Sequence, residues 1–310
     1  MQTCRDIDMT ALLKGIIPAV FTPMMPDGRI DSDRAENVVV HLLSDGIDGI
    51  YVCGTTGEGI SLTAEERMDI AAAYVNAAER NIPVVIQVGH NSLAVARHLA
   101  EHSQQIGADA ISAIPPFYYS VDADAIIKCL KDIASAAPGL PLYYYHIPQL
   151  NRVDLEIPSF IEKAVSQIPN FRGLKFAKWD IPELQISLNE CPAGIEIVFG
   201  CDEMFLSGLA AGAVGAIGST FNFAAPLYRK IAAAFHANDM IEARDLQLKA
   251  LQMIRLLYRF GGQPAFKSAM DFINCGCGPN RLPLISLNTR EKKQLEMDLD
   301  KIGFFDWGRG

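Results

Sequence analysis

Eight short apolar segments recur along the chain, and each is followed by a helical pattern of apolar residues. The segments are bounded by Gly, Pro or Asp and are apolar throughout rather than alternating, as is typical of strands buried on both faces. They span residues 16–21, 49–53, 83–88, 110–114, 142–147, 173–177, 195–199 and 214–218. Strands that alternate with helices predict a parallel sheet with right-handed crossovers. Eight such units, with no Gly-x-Gly-x-x-Gly after the first, favour a closed (β/α)8 TIM barrel over an open doubly wound sheet.

The helical segments carry their own signals. After the first strand, apolar residues recur at i, i+3, i+4, i+7 and i+8 from Ala35, and after the second, Thr63-Ala64-Glu65-Glu66 has the form of a capping box. Helical patterns over 241–260, 264–274 and 289–301 follow the last strand, and no Gly/Ser-rich or Pro-rich linker precedes them. We therefore predict a barrel over residues 1–237 and a C-terminal helical extension over 238–310, packed on the barrel as one structural unit.

Composition and charge argue against several classes of partner. The chain has 27 Lys and Arg against 36 Asp and Glu, a net charge of −9, and no basic run, so no nucleic-acid partner is expected. No apolar stretch reaches the roughly 18 residues of a transmembrane helix, and the N-terminal segment lacks the apolar core of a signal peptide. The seven cysteines form no CxxC pair, which favours a reducing compartment. These features predict a cytoplasmic protein without a membrane partner.

A lysine stands inside one of the apolar segments. A parallel barrel places its active site at the C-terminal ends of its strands, and Lys175 lies near that end of the sixth. Desolvation favours the neutral amine, which attacks a ketone to form an imine that withdraws electrons from the adjacent carbon. A lysine in a barrel can equally be held in an ion pair with a carboxylate such as Glu203. The residues alone leave both interpretations open.

Residues with hydroxyl groups lie in or directly after two other predicted strands. Because strand side chains alternate, Tyr143 and Tyr145 of the fifth strand share one face, and Tyr144 lies on the other. We interpret His146 as a packed neighbour of Tyr145 rather than as a base. A tyrosine carries protons when another hydroxyl or a cation polarises it, but it can also simply fill a barrel core. The segment Gly54-Thr55-Thr56-Gly57 after the second strand can direct backbone N–H groups at a carboxylate, or can be an ordinary strand-to-helix turn.

Six motifs taken together are far more specific than any one of them. In chain order they are Pro18-Ala19-Val20-Phe21-Thr22-Pro23, Gly54-Thr55-Thr56-Gly57-Glu58, Pro115-Pro116-Phe117-Tyr118-Tyr119, Tyr145-His146-Ile147-Pro148, Gly173-Leu174-Lys175 and Gly218-Ser219-Thr220. In these motifs the chain resembles the pyruvate-dependent Schiff-base aldolase superfamily, which includes N-acetylneuraminate lyase and dihydrodipicolinate synthase. The resemblance extends over about residues 15–284 and implies a (β/α)8 barrel that acts on a small 2-keto acid.

The resemblance implies a role for each matching residue. Lys175 corresponds to the lysine that forms the imine, and Tyr145 to the proton shuttle. Thr55 and Thr56 correspond to the motif that binds the pyruvate carboxylate, with Thr56 also in the hydrogen-bond relay of the tyrosine. Tyr118 corresponds to a tyrosine that a neighbouring subunit contributes to this relay, which implies at least a dimer and, as is usual in the family, a homotetramer. The covalent imine on Lys175 implies that no cofactor and no metal are needed.

Positions around the fifth and seventh strands bear on the substrate. Dihydrodipicolinate synthases carry an arginine shortly after the fifth-strand motif, where this chain has Leu150, as sialic acid lyases do. Asp202 and Glu203, which follow Gly200, resemble the lyase pair that binds the polyol of the sugar, and Ser219 resembles a contact to its glycerol tail. The resemblance therefore implies cleavage of N-acetylneuraminate, or of a related 2-keto sugar acid, to pyruvate and an aldehyde sugar.

Three positions depart from the lyase pattern. Ala177 stands where the lyases have a Thr or Ser that contacts the substrate, Lys178 follows it, and Arg152 lies in a segment where the lyases have glycine. Two additional cations near the strand ends could recruit an acidic substrate. Condensation of pyruvate with an aldehyde, as in dihydrodipicolinate synthase, or another 2-keto acid reaction therefore stays open.

Other functions fit the residues less well. A glycosidase barrel needs two carboxylates about 5 to 9 Å apart, and only Glu58 and the pair Asp202 and Glu203 supply acids at the strand ends. His98 and His102 lie at i, i+4 on a helix without an HExxH motif or a third ligand, so we predict no metal site. A barrel that binds a keto acid as a regulatory protein is the non-enzymatic alternative.

Overall fold

The computed structural model describes residues 12–307, and its centre is one sheet of eight parallel strands. The strands are β1 (Gly15–Pro18), β2 (Ile50–Val52), β3 (Val84–Gln87), β4 (Ala110–Ala113), β5 (Leu142–His146), β6 (Phe171–Phe176), β7 (Glu196–Phe199) and β8 (Gly215–Gly218). Their order is β1-β8-β7-β6-β5-β4-β3-β2. A bridge between Ala19 and Tyr51, with Val20 N donating to Tyr51 O at 3.0 Å, joins the chain at the two ends of the sheet. The predicted (β/α)8 TIM barrel is confirmed.

Helices follow the strands and continue beyond the last one. They are α1 (Ala35–Ser44), α2 (Ala64–Ala78), α3 (Leu93–Gln105), α4 (Ala123–Ala136), α5 (Pro148–Asn151), α6 (Ile157–Gln167), α7 (Ile181–Glu190), α8 (Phe205–Ala211), α9 (Phe221–His236), α10 (Met240–Arg259), α11 (Gln263–Phe272) and α12 (Thr289–Lys301). The capping box of α2 forms as predicted, since Thr63 Oγ1 accepts from Glu66 N and the Glu66 carboxylate accepts from Thr63 N. The single turn α5, which begins at Pro148, has no counterpart in the predicted pattern.

Strand β5 separates the interior of the barrel from the layer between strands and helices. Tyr143 and Tyr145 pack with the interior residues, and Tyr144 packs outward. The Tyr144 ring lies 4.8 Å from the ring of Phe160 on α6, measured between centroids. The predicted alternation is confirmed, and it directs the side chain of Tyr145 into the barrel.

The N-terminal end of the barrel is closed around one buried carboxylate. Glu196, at the start of β7, accepts hydrogen bonds from the backbone N–H groups of Leu12 and Leu13 at 3.0 Å each. It also accepts from the Tyr143 hydroxyl at 2.9 Å and from Arg172 Nε at 2.8 Å. Because four donors converge on it, these hydrogen bonds offset the cost of burying this carboxylate. This end of the barrel is a structural plug, and the opposite end is left for a site.

The C-terminal helices contact the barrel through polar as well as apolar residues. α10 packs along α9, and Gln247 of α10 accepts from the backbone N–H of Leu206 at 2.9 Å. On α11, Lys267 Nζ lies 2.8 Å from Glu58 Oε1 in the loop after β2. The contacts therefore reach the strand ends, while the division at residue 237 stays a prediction.

Two predictions concern the ends of the chain and its relation to membranes. In the part of the chain from residue 12 to residue 307, no helix is long and apolar enough to cross a membrane. Most of the N-terminal segment predicted to lack a signal peptide, residues 1–11, lies outside the described residues, as do the last residues of the predicted extension, 308–310.

Candidate active site

A cavity of about 340 Å³ opens at the C-terminal ends of the strands. Its floor and walls come from the ends of β5 and β6 and from the loops after β2, β7 and β8. α10 and α11 supply a further wall, so the C-terminal extension forms part of the site. The predicted site residues that line it are Thr55, Thr56, Tyr145, Lys175, Gly200, Asp202, Glu203 and Ser219.

Lys175 lies at the base of this cavity between aromatic rings. It is 6% exposed, and its Nζ lies 4.4 Å from the ring centroid of Tyr145 and 4.8 Å from that of Tyr51. Among residues 12–307, no carboxylate oxygen lies within 4.0 Å of this nitrogen. The alternative of an ion pair with Glu203 is therefore not observed, and the amine faces the cavity.

A glycine makes room for the lysine side chain. A Cβ on Gly200 would lie 2.9 Å from the Cβ of Ala177 and 3.1 Å from Cε of Lys175. A side chain at this position would be too close to Ala177 and would crowd the lysine side chain. Gly200 thus contributes to the site by leaving space for the Lys175 side chain.

Tyr145 stands beside Lys175 because the two are register partners on neighbouring strands. Its hydroxyl lies 3.5 Å from Thr55 Oγ1, at the limit of hydrogen-bond distance. Thr56 Oγ1 instead pairs with Ser219 Oγ at 2.6 Å. The turn after β2 thus directs these successive hydroxyls to different partners, and the place of Thr56 in the tyrosine relay stays a prediction.

Asp202 is buried and partly committed to the loop after β8. Its Oδ2 accepts from the backbone N–H of Thr220 at 2.8 Å and from Thr220 Oγ1 at 2.7 Å. A Cβ on Gly218 would lie 2.0 Å from Asp202 Oδ1, so the glycine is required here. Burial raises the pKa of Asp202. This carboxylate orders the loop besides lining the cavity.

Glu203 is the more available of the two acids. Burial, and after it the nearby charge of Asp202, raise the pKa of Glu203 to about 7. The side chain can therefore donate a hydrogen bond as an acid or accept one as a carboxylate near neutral pH. Both forms suit a ligand rich in hydroxyl groups.

Three other predicted residues lie away from this cavity or are already paired. Tyr118 is 80% exposed and packs edge-on against Tyr119, with ring centroids 5.2 Å apart, outside the cavity wall. Lys178 does not act as an additional free cation, since its Nζ lies 3.0 Å from Asp154 Oδ1 and 2.5 Å from Glu183 Oε2. Arg152, in a left-handed conformation with φ 58°, also does not line the cavity.

His146 is buried on the outer side of β5. Neither of its ring nitrogens has a hydrogen-bond partner, and burial lowers its pKa to about 4. It packs against Tyr144 and Phe176, with ring centroids 5.9 and 5.7 Å away. The ring is thus packed, but against Tyr144 and Phe176 rather than against Tyr145, whose side chain points into the barrel. Over residues 12–307, no group of three or more His, Cys, Asp or Glu residues is arranged to hold a metal ion.

Several lining residues were absent from the sequence predictions. Tyr258, Gln263 and Phe266 reach the cavity from the C-terminal extension, and Gln263 Nε2 donates to the backbone carbonyl of Thr56 at 2.6 Å. The signal that could have found this region is the lysine in Pro264-Ala265-Phe266-Lys267-Ser268, a charge on an otherwise buried helix face.

Comparison with known proteins places the chain in a family. The model of the dihydrodipicolinate synthetase family matches residues 12–302. The chain belongs to this family. It is 37% identical over 298 residues to N-acetylneuraminate lyase A of Xenopus laevis, covering 93% of this chain and 97% of that protein. It is 34% identical over 301 residues to the N-acetylneuraminate lyase of Rattus norvegicus, covering 95% and 94%.

Solved structures of family members have the same fold. The N-acetylneuraminate lyase of Proteus mirabilis superposes with a TM-score of 0.92 at 33% identity, covering 95% of this chain and all of that one (100%). The N-acetylneuraminate lyase of Aliivibrio salmonicida also gives a TM-score of 0.92, at 34% identity and with 95% and 98% coverage. The resemblance read from the six motifs is therefore confirmed at the level of the family.

The raised pKa of Glu203 predicts a pH dependence of stability. Between its ordinary value of 4.5 and about 7, the native protein holds a proton that the unfolded chain has released. The contribution of this group to the free energy of unfolding therefore falls as the pH rises through that window, by up to about 3 kcal/mol in total. Glu203→Gln removes this contribution, and urea unfolding at a series of pH values from 4.5 to 8 measures the change in slope. Glu36→Gln, on the exposed surface of α1, is the matched control; an unchanged slope in Glu203→Gln would contradict the assignment.

Proposed function

We propose that the chain is a class I aldolase that cleaves N-acetylneuraminate, or a related 2-keto sugar acid, to pyruvate and an aldehyde sugar. The observation that carries the proposal is Lys175, a buried amine that lies beside the ring of Tyr145 and has no carboxylate oxygen within 4.0 Å among the described residues. Family membership and the N-acetylneuraminate lyases among the relatives support the same reaction class. The reaction is that of a carbon–carbon lyase.

The first half of the reaction forms the covalent intermediate. The neutral amine of Lys175 attacks the C2 carbonyl of the keto acid, and loss of water leaves an imine. A base then takes the proton of the C4 hydroxyl, whose electrons form the carbonyl of the aldehyde. The C3–C4 bond breaks, and its electron pair moves through C2 to the nitrogen of the protonated imine to give a neutral enamine.

The second half returns the enzyme to its starting state. The proton is delivered to C3 of the enamine, and water hydrolyses the resulting imine to release pyruvate and the free amine of Lys175. Every atom and electron is accounted for without an oxidant or a reductant, so the imine itself takes the place of a cofactor.

Tyr145 is the proton carrier that the geometry supports best. Its ring lies beside Lys175, and its hydroxyl is 3.5 Å from Thr55 Oγ1. A neighbouring hydroxyl and a nearby cation are the groups that make a phenol useful in acid–base catalysis. We assign Thr55 to the relay, and we assign the loop with Thr56 to the carboxylate of the keto acid.

The polar wall of the cavity favours a sugar over a second carboxylate. Lys175 is the only cationic side chain among the residues that line the cavity in the described part of the chain. Leu150, which also lines it, stands where the resemblance implies an arginine in dihydrodipicolinate synthases for the second carboxylate of their aldehyde substrate. Asp202 and Glu203 would repel a further carboxylate but can bind hydroxyl groups, as Ser219 can. Condensation with aspartate semialdehyde is therefore the second candidate. Ala177, which supplies no hydroxyl beside Lys175, remains the position that could change which sugar acid is accepted.

We further propose that the enzyme acts as a cytoplasmic homotetramer in which Tyr118 completes the site of a neighbouring subunit. The exposure of the Tyr118 ring supports a role in contact with another chain, as an apolar ring of this size favours burial. The cysteine usage of the chain supports a reducing compartment.

The proposed imine predicts covalent trapping on one lysine. Incubation with pyruvate and borohydride should add one reduced pyruvate to Lys175, located by peptide mass spectrometry, because reduction fixes the imine. Lys178→Met, three residues along, should still be trapped, and Lys175→Ala should not. Tyr145→Phe should keep trapping while cleavage falls by roughly 10²-fold, the scale of a positioned acid–base group. No adduct, or an adduct on another lysine, would exclude the mechanism.

The acidic wall predicts the choice of substrate. The protein should release pyruvate from N-acetylneuraminate and should not condense pyruvate with aspartate semialdehyde. Glu203→Gln should raise KM for N-acetylneuraminate by roughly ten-fold while sparing pyruvate trapping, since the loss of one charged hydrogen bond is worth about 1.5 kcal/mol. Steady-state kinetics with both substrates measure this. If only the condensation with aspartate semialdehyde proceeds, the second candidate is correct. Trapping of pyruvate without either reaction would point to another 2-keto acid as substrate. Binding of pyruvate without trapping would favour a regulatory barrel.

The role of Tyr118 predicts complementation between subunits. Tyr118→Phe and Lys175→Ala should each lose most activity, the first by roughly 10-fold or more because the relay is incomplete. Unfolding and refolding the two variants together should restore activity, since a mixed pair contains one site with both Lys175 and a Tyr118 from its neighbour. Tyr119→Phe mixed in the same way is the matched control. Activity that does not rise on mixing would place Tyr118 in its own subunit's site or outside the mechanism.

A further inference from the structure

The loop that carries Thr55 and Thr56 is contacted at two points from one face of α11. Gln263 Nε2 donates to the carbonyl oxygen of Thr56 at 2.6 Å, and Lys267 Nζ lies 2.8 Å from Glu58 Oε1. Gln263 and Lys267 are four residues apart, so they project from the same side of the helix on successive turns. Their targets are two residues apart along the loop. The helix and the loop therefore meet as two matched surfaces.

The backbone of this loop needs such contacts to keep its shape. Cys53 and Glu58, neither of them glycine, have φ angles of 58° and 55° in the left-handed region. Residues in that region persist where their surroundings hold them. The loop is also closely packed, since a Cβ on Gly59 would lie 2.0 Å from the carbonyl oxygen of Cys53. Internal hydrogen bonds, from Glu58 N to Thr55 O and from Gly59 N to Gly54 O at 3.1 Å each, hold part of this shape, and contacts from outside the loop add to them.

The charged contact is fully compensated, which fixes its geometry. Lys267 and Glu58 both have completely buried side chains. Lys267 Nζ also donates to the carbonyl of Pro279 at 2.8 Å, and Glu58 accepts from the backbone N–H of Arg281 at 2.8 Å and from Asn280 Nδ2 at 3.2 Å. A buried pair whose remaining donors and acceptors are satisfied has one favoured arrangement.

We propose that Gln263 and Lys267 are positioning residues that set the carboxylate-binding loop of the active site from the C-terminal extension. Gln263 holds the Thr56 carbonyl, and Lys267 holds Glu58 in its left-handed conformation. Together they direct the backbone N–H groups of the loop at the carboxylate and keep the Thr55 hydroxyl near Tyr145. The effect on keto acid affinity rests on the proposed function, while the restraint on the loop does not.

The test uses Gln263→Met, which keeps the size of the side chain and removes the donor. The pyruvate concentration that half-saturates borohydride trapping should rise about ten-fold, the effect of one lost hydrogen bond of average to high strength. The maximal rate of trapping should stay within about two-fold, because Lys175 and Tyr145 are untouched. Amide hydrogen exchange of residues 53–59 should become faster, without any substrate present. Ser268→Ala removes a hydroxyl that bonds only within α11, to the Pro264 carbonyl, and is the matched control.

A second variant keeps the proposal testable at the buried pair. Lys267→Met alone leaves Glu58 charged without its partner, which is strongly destabilising. The double variant Lys267→Met with Glu58→Gln removes both charges at similar volume, and the amide still accepts from Arg281 N. It should show the same rise in half-saturating pyruvate and the same faster exchange of residues 53–59.

The outcomes separate the two proposals. Unchanged half-saturation and unchanged exchange in both variants would overturn the positioning role, and so would a lower maximal rate at unchanged half-saturation. If the unmodified protein traps no pyruvate, the proposed function fails. Hydrogen exchange then decides by itself whether α11 restrains the loop. A restraint that changes exchange but leaves pyruvate affinity as it was would overturn the link to the carboxylate.

Discussion

The candidate site depends on one amine that lies among aromatic rings without a counter-charge beside it. Taking an ammonium group out of water without a partner costs free energy, and the other buried lysine named above has one. Lys267 has Glu58 at 2.8 Å, whereas Lys175 has the faces of Tyr145 and Tyr51. The surroundings of Lys175 favour a reactive group over a structural one. Gly200, by omitting a side chain, leaves the space in which this amine extends.

The two ends of the barrel treat polar groups in opposite ways. At the N-terminal end, Glu196 collects four hydrogen-bond donors and closes the interior. At the C-terminal end, Glu203 has the Tyr258 hydroxyl as a side-chain hydrogen-bond partner, and its pKa is raised to about 7 by burial and by Asp202. Glu196 begins strand β7, and Glu203 follows the end of the same strand. One strand therefore supplies a stabilising acid at its start and a chemically available acid just after its end.

Much of this architecture could be predicted from the sequence, because strands buried on both faces are apolar throughout and their ends mark the site. The alternation along β5 likewise placed Tyr145 inside the barrel. Contacts between distant segments could not be predicted. Which of Thr55 and Thr56 faces Tyr145 depends on left-handed residues in the turn, and Gln263 meets Thr56 across 207 positions. Local patterns also did not reveal that Lys178 is bound by acidic neighbours.

The separation between strands and loops explains how one barrel can keep its chemistry while its substrate changes. Lys175 and Tyr145 are register partners in the sheet, so their distance is set by backbone hydrogen bonds that a change of substrate need not alter. The groups that meet the rest of the ligand, such as Glu203 and Tyr258, come from a loop and from the end of α10. Substitution there changes contacts to the ligand without moving the two strands. The sheet therefore sets the distance between Lys175 and Tyr145, and the loops and the extension set the contacts to the rest of a ligand.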